Sequence, residues 1–235
     1  MSEVLYDGRD LEVLANLPNY HGWIMDGFRR HLRGKAIEFG AGAGAISERL
    51  LPCVNSLDLV EPSVNLAATL KDRFADDGSV TVHTSTLEIY LANGHPEFDV
   101  AVLVNVLEHI EDDVDALRGL RAQIRKGGSL LMFVPAMPFL FSKLDREFGH
   151  FRRYTAFDLE QKVEQAGFQI LESRYMDILG IVPWWLLNTV CGKTEFNQSL
   201  VTLYDTVGIP VTRLLEKIIR APVGKNILIT ARNPE

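Results

Sequence analysis

Short apolar runs alternate with amphipathic stretches along most of the chain. Residues 36–39, 57–61, 80–84, 99–104 and 129–134 read as strands: each is short, rich in Val, Ile and Leu, and bounded by turn residues. Between them, 45–51, 63–74, 86–92 and 111–125 carry apolar positions at helical spacing, and a further helix before the first strand ends at 32–34. Pro52 closes the helix at 45–51, Ser63 is placed as an N-cap, and Gly127 ends the helix at 111–125. Asp76-Asp77-Gly78 marks a turn. Such alternation predicts an α/β fold with a doubly wound, mostly parallel sheet.

Farther on, 156–165 is a helix stopped by Gly167, 168–175 is a sixth strand, and 225–231 suits a seventh, antiparallel one. The residues between these last two, 177–222, read as a helical insertion or lid. Its apolar run at 178–187 is too short to span a bilayer and is interrupted by Pro183. Val211, Leu214, Leu215, Ile218 and Ile219 repeat at helical spacing, with Arg213, Lys217 and Arg220 among them. Three readings stay open: packing over the domain to wall a pocket, a homodimer interface instead of a monomer, or membrane-surface contact through 178–190 and 211–220.

A length of 235 residues with 47% hydrophobic and 23% charged content suits one domain, 1–235, with a full core and some extra elements. The formal net charge of −7 argues against a nucleic-acid partner and favours a small molecule. Cys53 and Cys191 lack C-x-x-C spacing and the six histidines form no paired ligand motif, so neither a disulfide framework nor a metal site is expected. The polar, acidic N-terminus has no basic segment followed by an apolar one, and a cytoplasmic location is the expectation.

Candidate chemistry centres on residues 36–44, Ala-Ile-Glu-Phe-Gly-Ala-Gly-Ala-Gly, where a strand runs into a glycine turn that leads toward a helix. Gly40, Gly42 and Gly44 let the backbone turn sharply and let a ligand approach closely. Glu38 would repel a pyrophosphate but pair with a cationic amino group, which favours an amino-acid-bearing nucleoside. Glu61 follows Gly42 by about 20 residues, the offset of a ribose-binding carboxylate. Gly40-x-Gly42-x-x-Ala45 also fits the dinucleotide fingerprint, so the glycines alone leave an NAD(P)-dependent oxidoreductase open.

Residues 98–110, Phe-Asp-Val-Ala-Val-Leu-Val-Asn-Val-Leu-Glu-His-Ile, and 126–135, Lys-Gly-Gly-Ser-Leu-Leu-Met-Phe-Val-Pro, break that tie. With them the chain closely resembles the class I S-adenosylmethionine-dependent methyltransferases. There E-x-G-x-G-x-G, an acid ending the second strand, an F-D strand closing on L-E-H, and a G-G strand come in this order. The resemblance covers roughly residues 20–176 and a final strand near 225–232. It implies a Rossmann-like seven-stranded fold, with S-adenosylmethionine as cofactor and S-adenosylhomocysteine as product. From Pro135 on, the chain also resembles a bacterial subgroup with a P-x-x-x-x-L-x-S-x-x-D-x-x-x-G-H-x-R-R-Y signature, which names no acceptor.

Carried over by position, the resemblance implies that Glu38, Gly40, Ala41 and Gly42 hold the methionine moiety, and Glu61 with Pro62 the ribose. Thr86 and Leu87 fall at the adenine contacts, with Thr86 replacing a common acid, so the adenine would be recognised by a hydroxyl or by backbone. Asn105 and Val106 should face the methionine side from the fourth strand's end. Tyr20 and Trp23 lie where relatives fold a helix over the cofactor, and core packing is the alternative for Trp23. His109 follows as a group that polarises an acceptor or closes the pocket. Asp145, His150, Arg152, Arg153 and Tyr154 form a polar loop cluster from which the family draws acceptor contacts, with His150 as candidate base. The expected function is methyl transfer to a small-molecule, glycan or lipid-linked acceptor, with O-methylation favoured. A non-catalytic cofactor-binding module is the remaining rival.

Overall fold

A computed structural model of the chain describes residues 16–94 and 97–235. Among them, seven strands form one sheet: β1 (Lys35–Phe39), β2 (Ser56–Glu61), β3 (Val80–Thr84), β4 (Phe98–Val104), β5 (Ile124–Pro135), β6 (Gln169–Met176) and β7 (Asn226–Arg232). Their order is β3-β2-β1-β4-β5-β7-β6. Strand β7 runs antiparallel to both neighbours and the remaining pairs are parallel. Helices α1 (Pro18–Phe28), α2 (Ser47–Leu50), α3 (Val64–Arg73), α4 (Leu87–Ala92), α5 (Asp113–Gln123), α6 (Lys143–Glu147) and α7 (Ala156–Gln165) precede the insertion. This is the doubly wound, Rossmann-like α/β sheet that the alternation predicts.

The central strands are covered on both faces, which is why they read as continuous apolar runs. Ile37, Phe39, Leu103, Met132 and Ile229 pack on one side with Tyr90 of α4, Leu117 of α5 and Leu159 of α7. Ala36, Leu59, Val102, Phe133 and Leu228 pack on the other with Trp23 and Phe28 of α1 and Leu70 of α3. Each fully buried side chain of this size contributes about 1.5–3 kcal/mol, so neither helix layer is dispensable.

Three boundaries differ from expectation. Helix α5 stops at Gln123, and Gly127, at φ +73°, sits in an irregular stretch of β5 where the register against β4 shifts. The helix expected at 45–51 shrinks to α2, because the glycine turn extends to its start and Pro52 enters a 3-10 turn at Leu51–Cys53. Ser63 occupies the N-cap of α3, yet its side chain makes no capping bond.

Between β6 and β7 the chain forms α8 (Ile181–Trp184), a π-helical continuation at Trp185–Val190, then α9 (Gln198–Leu203) and α10 (Ile209–Ile218), joined by a π-helical segment at Tyr204–Gly208. Asp205, buried, anchors this insertion by accepting from the Asn19 and Tyr20 amides at 3.2 and 2.9 Å and from Asn19 Nδ2 at 3.1 Å. It thereby caps α1, whose own N-cap residue Leu17 offers no side-chain acceptor. Along α9 and α10 much of the apolar surface faces outward. Asp205, Ile209 and Thr212 point inward, while Leu200, Leu203, Val207, Val211, Leu214 and Ile218 are exposed, Ile218 by 76%. No helix among the described residues is long and apolar enough to cross a membrane.

Candidate active site

The crevice forms where β1 and β4 lie side by side and their connections leave in opposite directions, at the carboxyl edge of the sheet. Gly40, Gly42 and Gly44 all have left-handed φ, at +67°, +56° and +89°. A Cβ on Gly40 would stand 2.5 Å from Val106 Cγ2, so only glycine lets the turn lie against the end of β4. Ala41 is buried in the same turn and its amide reaches Val60 O at 3.4 Å.

Two carboxylates flank this turn. Glu38 is buried, and Ser47 Oγ donates to it at 2.5 Å. Burial pushes its carboxyl up to about 8, opposed by the Ser47 bond and reinforced by the charge of Glu61. Glu61 accepts from the Gly42 amide at 2.8 Å through Oε2 and from the Ser63 amide at 2.9 Å through Oε1, spanning Pro62. Each oxygen keeps a further lone pair for ribose hydroxyls. A cationic amino group near Glu38 would satisfy a carboxyl that is otherwise costly to ionise, so an amino-acid-bearing nucleoside fits this cradle better than a pyrophosphate.

At the end of β4, Asn105 is exposed and left-handed at φ +53°, with its amide bonded to Phe133 O at 2.8 Å. A non-glycine residue held there marks a backbone constrained by its surroundings. Thr86 caps α4, its hydroxyl accepting from the Ile89 amide at 3.3 Å, and Leu87 turns its side chain into the core. The Leu87 amide, in the first turn, has no intrahelical acceptor. Tyr20 reaches the same sheet edge: its ring meets Phe133 edge-on at 5.8 Å and its hydroxyl donates to Asn226 Oδ1 at 2.9 Å.

The loop after β5 folds back over the end of β4. Asp145 forms a capping box with Ser142 at the start of α6 and accepts from Arg153 Nε at 2.8 Å, and its Oδ1 lies 2.9 Å from His150 Nδ1. Burial works against its charge, but His150 and Arg153 hold the Asp145 carboxyl down at about 2. His109, exposed, stacks edge-to-face on His150 with ring centroids 4.6 Å apart. Beneath them Glu108 is wholly buried, its Oε1 4.0 Å from His150 Nε2, and burial pushes its carboxyl up to about 8.

All four expected acceptor contacts, Trp23, Asp145, Arg153 and Tyr154, are buried and take packing or pairing positions instead. Trp23 is 5% exposed and belongs to the apolar layer under α1. Tyr154 is wholly buried, donating to Asp113 Oδ2 at 3.0 Å, where Arg152 and Lys162 also bind. These bonds pin the loop to α5 and leave Tyr154 no surface for an acceptor. Arg153 is buried too, with its guanidinium 4.5 Å from the centre of the Trp184 ring. It steadies Asp145 and Trp184 rather than facing solvent.

Sequence reasoning passed over Glu108 as a site residue and missed Asp177, Lys225 and Tyr204. Asp177, left-handed at φ +67° and buried, accepts from the Tyr204 hydroxyl and pairs with Lys225 at 2.9 Å. The Lys225 ammonium lies 5.4–5.7 Å from the rings of Tyr20, Trp184 and Tyr204. Glu108 carried one signal, a buried-strand terminus ending in two adjacent titratable residues. The other three carried none, since the insertion brings them in from distant positions.

A family model described as a methyltransferase domain matches residues 22–173. The ubiquinone biosynthesis O-methyltransferase of Caulobacter vibrioides is 32% identical over 105 residues, 43% of this chain and 40% of that protein. A protein of Halobacterium salinarum described as a probable ribosomal RNA small subunit methyltransferase A is 39% identical over 67 residues, 28% of this chain and 21% of its own length. The chain thus spans less than half the length of these curated relatives. The N-methyltransferase NodS of Bradyrhizobium japonicum, solved with S-adenosylhomocysteine, superposes with a TM-score of 0.62 at 16% identity, over 97% of this chain and 94% of that one. That likeness carries the fold, while the family match extends over both the glycine cradle and the edge of β4. The chain belongs to the methyltransferase domain family.

Proposed function

We propose that this enzyme methylates a hydroxyl oxygen of a small-molecule, glycan or lipid-linked acceptor. The observation that carries the reading is the Asp145–His150 pair, which leaves His150 Nε2 directed toward the cluster beside the end of β4. A hydroxyl must lose its proton as it attacks, and an imidazole oriented by a carboxylate is a group that can take it. S-adenosylmethionine supplies, when bound, a methyl group already activated by the sulfonium. Glu38 with Gly40, Ala41 and Gly42 holds the amino-acid end, Glu61 and Pro62 the ribose side, and Thr86 with the Leu87 amide the adenine. Asn105 and Val106 press against the methionine side and Tyr20 closes the edge. Such positioning contributes roughly 7–11 kcal/mol, and a base a further factor of about 10² to 10⁴.

The named activity of the Caulobacter relative supports oxygen as the acceptor atom. A net charge of −7 speaks against a nucleic-acid acceptor, despite the ribosomal RNA relative. The exposed apolar face of α9 and α10, with Arg213, Lys217 and Arg220 beside it, supports a lipid-linked acceptor met at a membrane surface. The test is transfer of labelled methyl from S-adenosylmethionine to a panel of phenols, lipid-linked hydroxyls, glycans and amines. Labelled ethers are expected, and His150→Ala should lose at least about 10²-fold in kcat with S-adenosylhomocysteine affinity kept. Labelling confined to amines would sink the reading.

A further inference from the structure

We propose that Glu108, His109 and His150 form a binding site for a divalent cation. One ligand atom from each lies within 4.8 Å of the other two. Both Glu108 oxygens are buried without a hydrogen-bond partner, an arrangement a folded chain rarely leaves uncompensated. The nearest guanidinium does not serve them, because Arg153 is spent on Asp145 and on the Ala136 carbonyl. His150 is oriented from behind by Asp145 at Nδ1, and the His109 ring packs edge-on against it with centroids 4.6 Å apart. A carboxylate partner of this kind fixes the tautomer and frees the other ring nitrogen, as metal-ligating histidines require.

The donor set of two imidazoles and one carboxylate suits zinc or another borderline first-row cation rather than magnesium or calcium. Metal–ligand bonds of about 2.0–2.2 Å place ligand atoms about 3.4 Å apart in a tetrahedron, so the side chains need close by only about an ångström. Three protein ligands leave a further coordination position open. The consequence for chemistry rests on the oxygen-acceptor reading above. A hydroxyl bound at the open position releases its proton to solvent, its oxygen forms the bond to the methyl carbon, and the electron pair of the breaking S–C bond returns to sulfur. With the cation bound, the Asp145–His150 pair would hold a ligand, and without it the same pair would serve as the base.

The experiment titrates the EDTA-treated full chain with Zn²⁺, followed by calorimetry and by metal analysis after dialysis. One equivalent at micromolar or tighter affinity is expected. Glu108→Gln and His109→Ala should each weaken it at least 100-fold, and Asp145→Asn by about 10–100-fold through the ring it holds. His109 is exposed, so His109→Ala should keep the parent's thermal unfolding midpoint, which separates a lost ligand from a lost fold. Absence of Zn²⁺ binding in a chain that binds S-adenosylhomocysteine overturns the site, as does unchanged Zn²⁺ affinity in both His109→Ala and Glu108→Gln. Zn²⁺ binding in a chain that methylates only amines keeps the site and removes the oxygen reading. Full hydroxyl methylation after EDTA, with no Zn²⁺ binding, does the reverse.

Discussion

Glu38 and Glu61 stand at neighbouring strand ends and handle burial in opposite ways. Glu61 is held by two amides and Glu38 by a single hydroxyl, and burial pushes the Glu38 carboxyl up to about 8. A ligand ammonium favours its ionised form, so affinity for S-adenosylhomocysteine should rise by up to about tenfold per pH unit between 6 and 7.5. The rise should end near pH 8, where Glu38 is ionised in the free protein as well. Calorimetry across pH checks this, and Glu38→Gln should flatten the rise. The stability sign is the reverse. Folded Glu38 keeps its proton from about 4.5 to about 8 while the unfolded chain gives it up, so the ligand-free protein loses stability as pH climbs through that window, by roughly 1.4 kcal/mol per unit. Glu38→Gln should remove this loss in urea melts at pH 8. Glu61→Ala should weaken S-adenosylhomocysteine binding by about 3 kcal/mol, the sum of one or two charge-assisted bonds, and unchanged affinity would place Glu61 outside the site. Both acids were legible in the sequence because their function depends on strand ends, which local pattern reveals.

At the scale of elements, α9 and α10 are turned against the usual rule for a surface helix. Asp205 and Thr212 face the domain along with Ile209, because Asp205 must cap α1, and the apolar stripe is thereby left to solvent. Of the three readings open from sequence, complete packing over the domain is not what this stripe does, with Leu214 62% exposed and Ile218 more so. Co-sedimentation with anionic vesicles is the direct check: binding is expected for the full chain, weaker at high salt, and largely lost in Leu214→Asp/Ile218→Asp. Equal sedimentation of that variant would leave the stripe without a lipid role. The loop after β5 shows the complementary case. Its polar residues stood out in the sequence as one cluster, but the fold divides them, Arg152 and Tyr154 going to Asp113 and Asp145 with Arg153 to the His150 side.

Across the whole molecule, the contact that ties distant parts together is Asp205 on the first turn of α1, 186 residues away from Asn19. It fixes Tyr20, whose hydroxyl bonds Asn226 at the carboxyl edge of the sheet, to the insertion. Asp205→Ala removes a buried acceptor of three bonds and should cost about 2–3 kcal/mol, lowering Tm by roughly 5–10 °C. Cofactor affinity should fall at the same time, since Tyr20 loses its anchor. A lowered Tm with unchanged affinity would show that the insertion supports the fold without shaping the crevice.

The sequence by itself determined the strand–helix alternation, the seven strands, the glycine cradle and the order of motifs that marks the family. Each of these is written in short-range pattern, where side-chain period and turn chemistry act over a few residues. It did not determine that Glu108, His109 and His150 meet, that Trp23 and Tyr154 are packed away, or that Asp177, Lys225 and Tyr204 share one edge of the crevice. Those outcomes depend on how the loop after β5 and the insertion before β7 return to the carboxyl edge of the sheet. Long-range closure of that kind is settled by burial and by the pairing of buried charges, which no local spacing records.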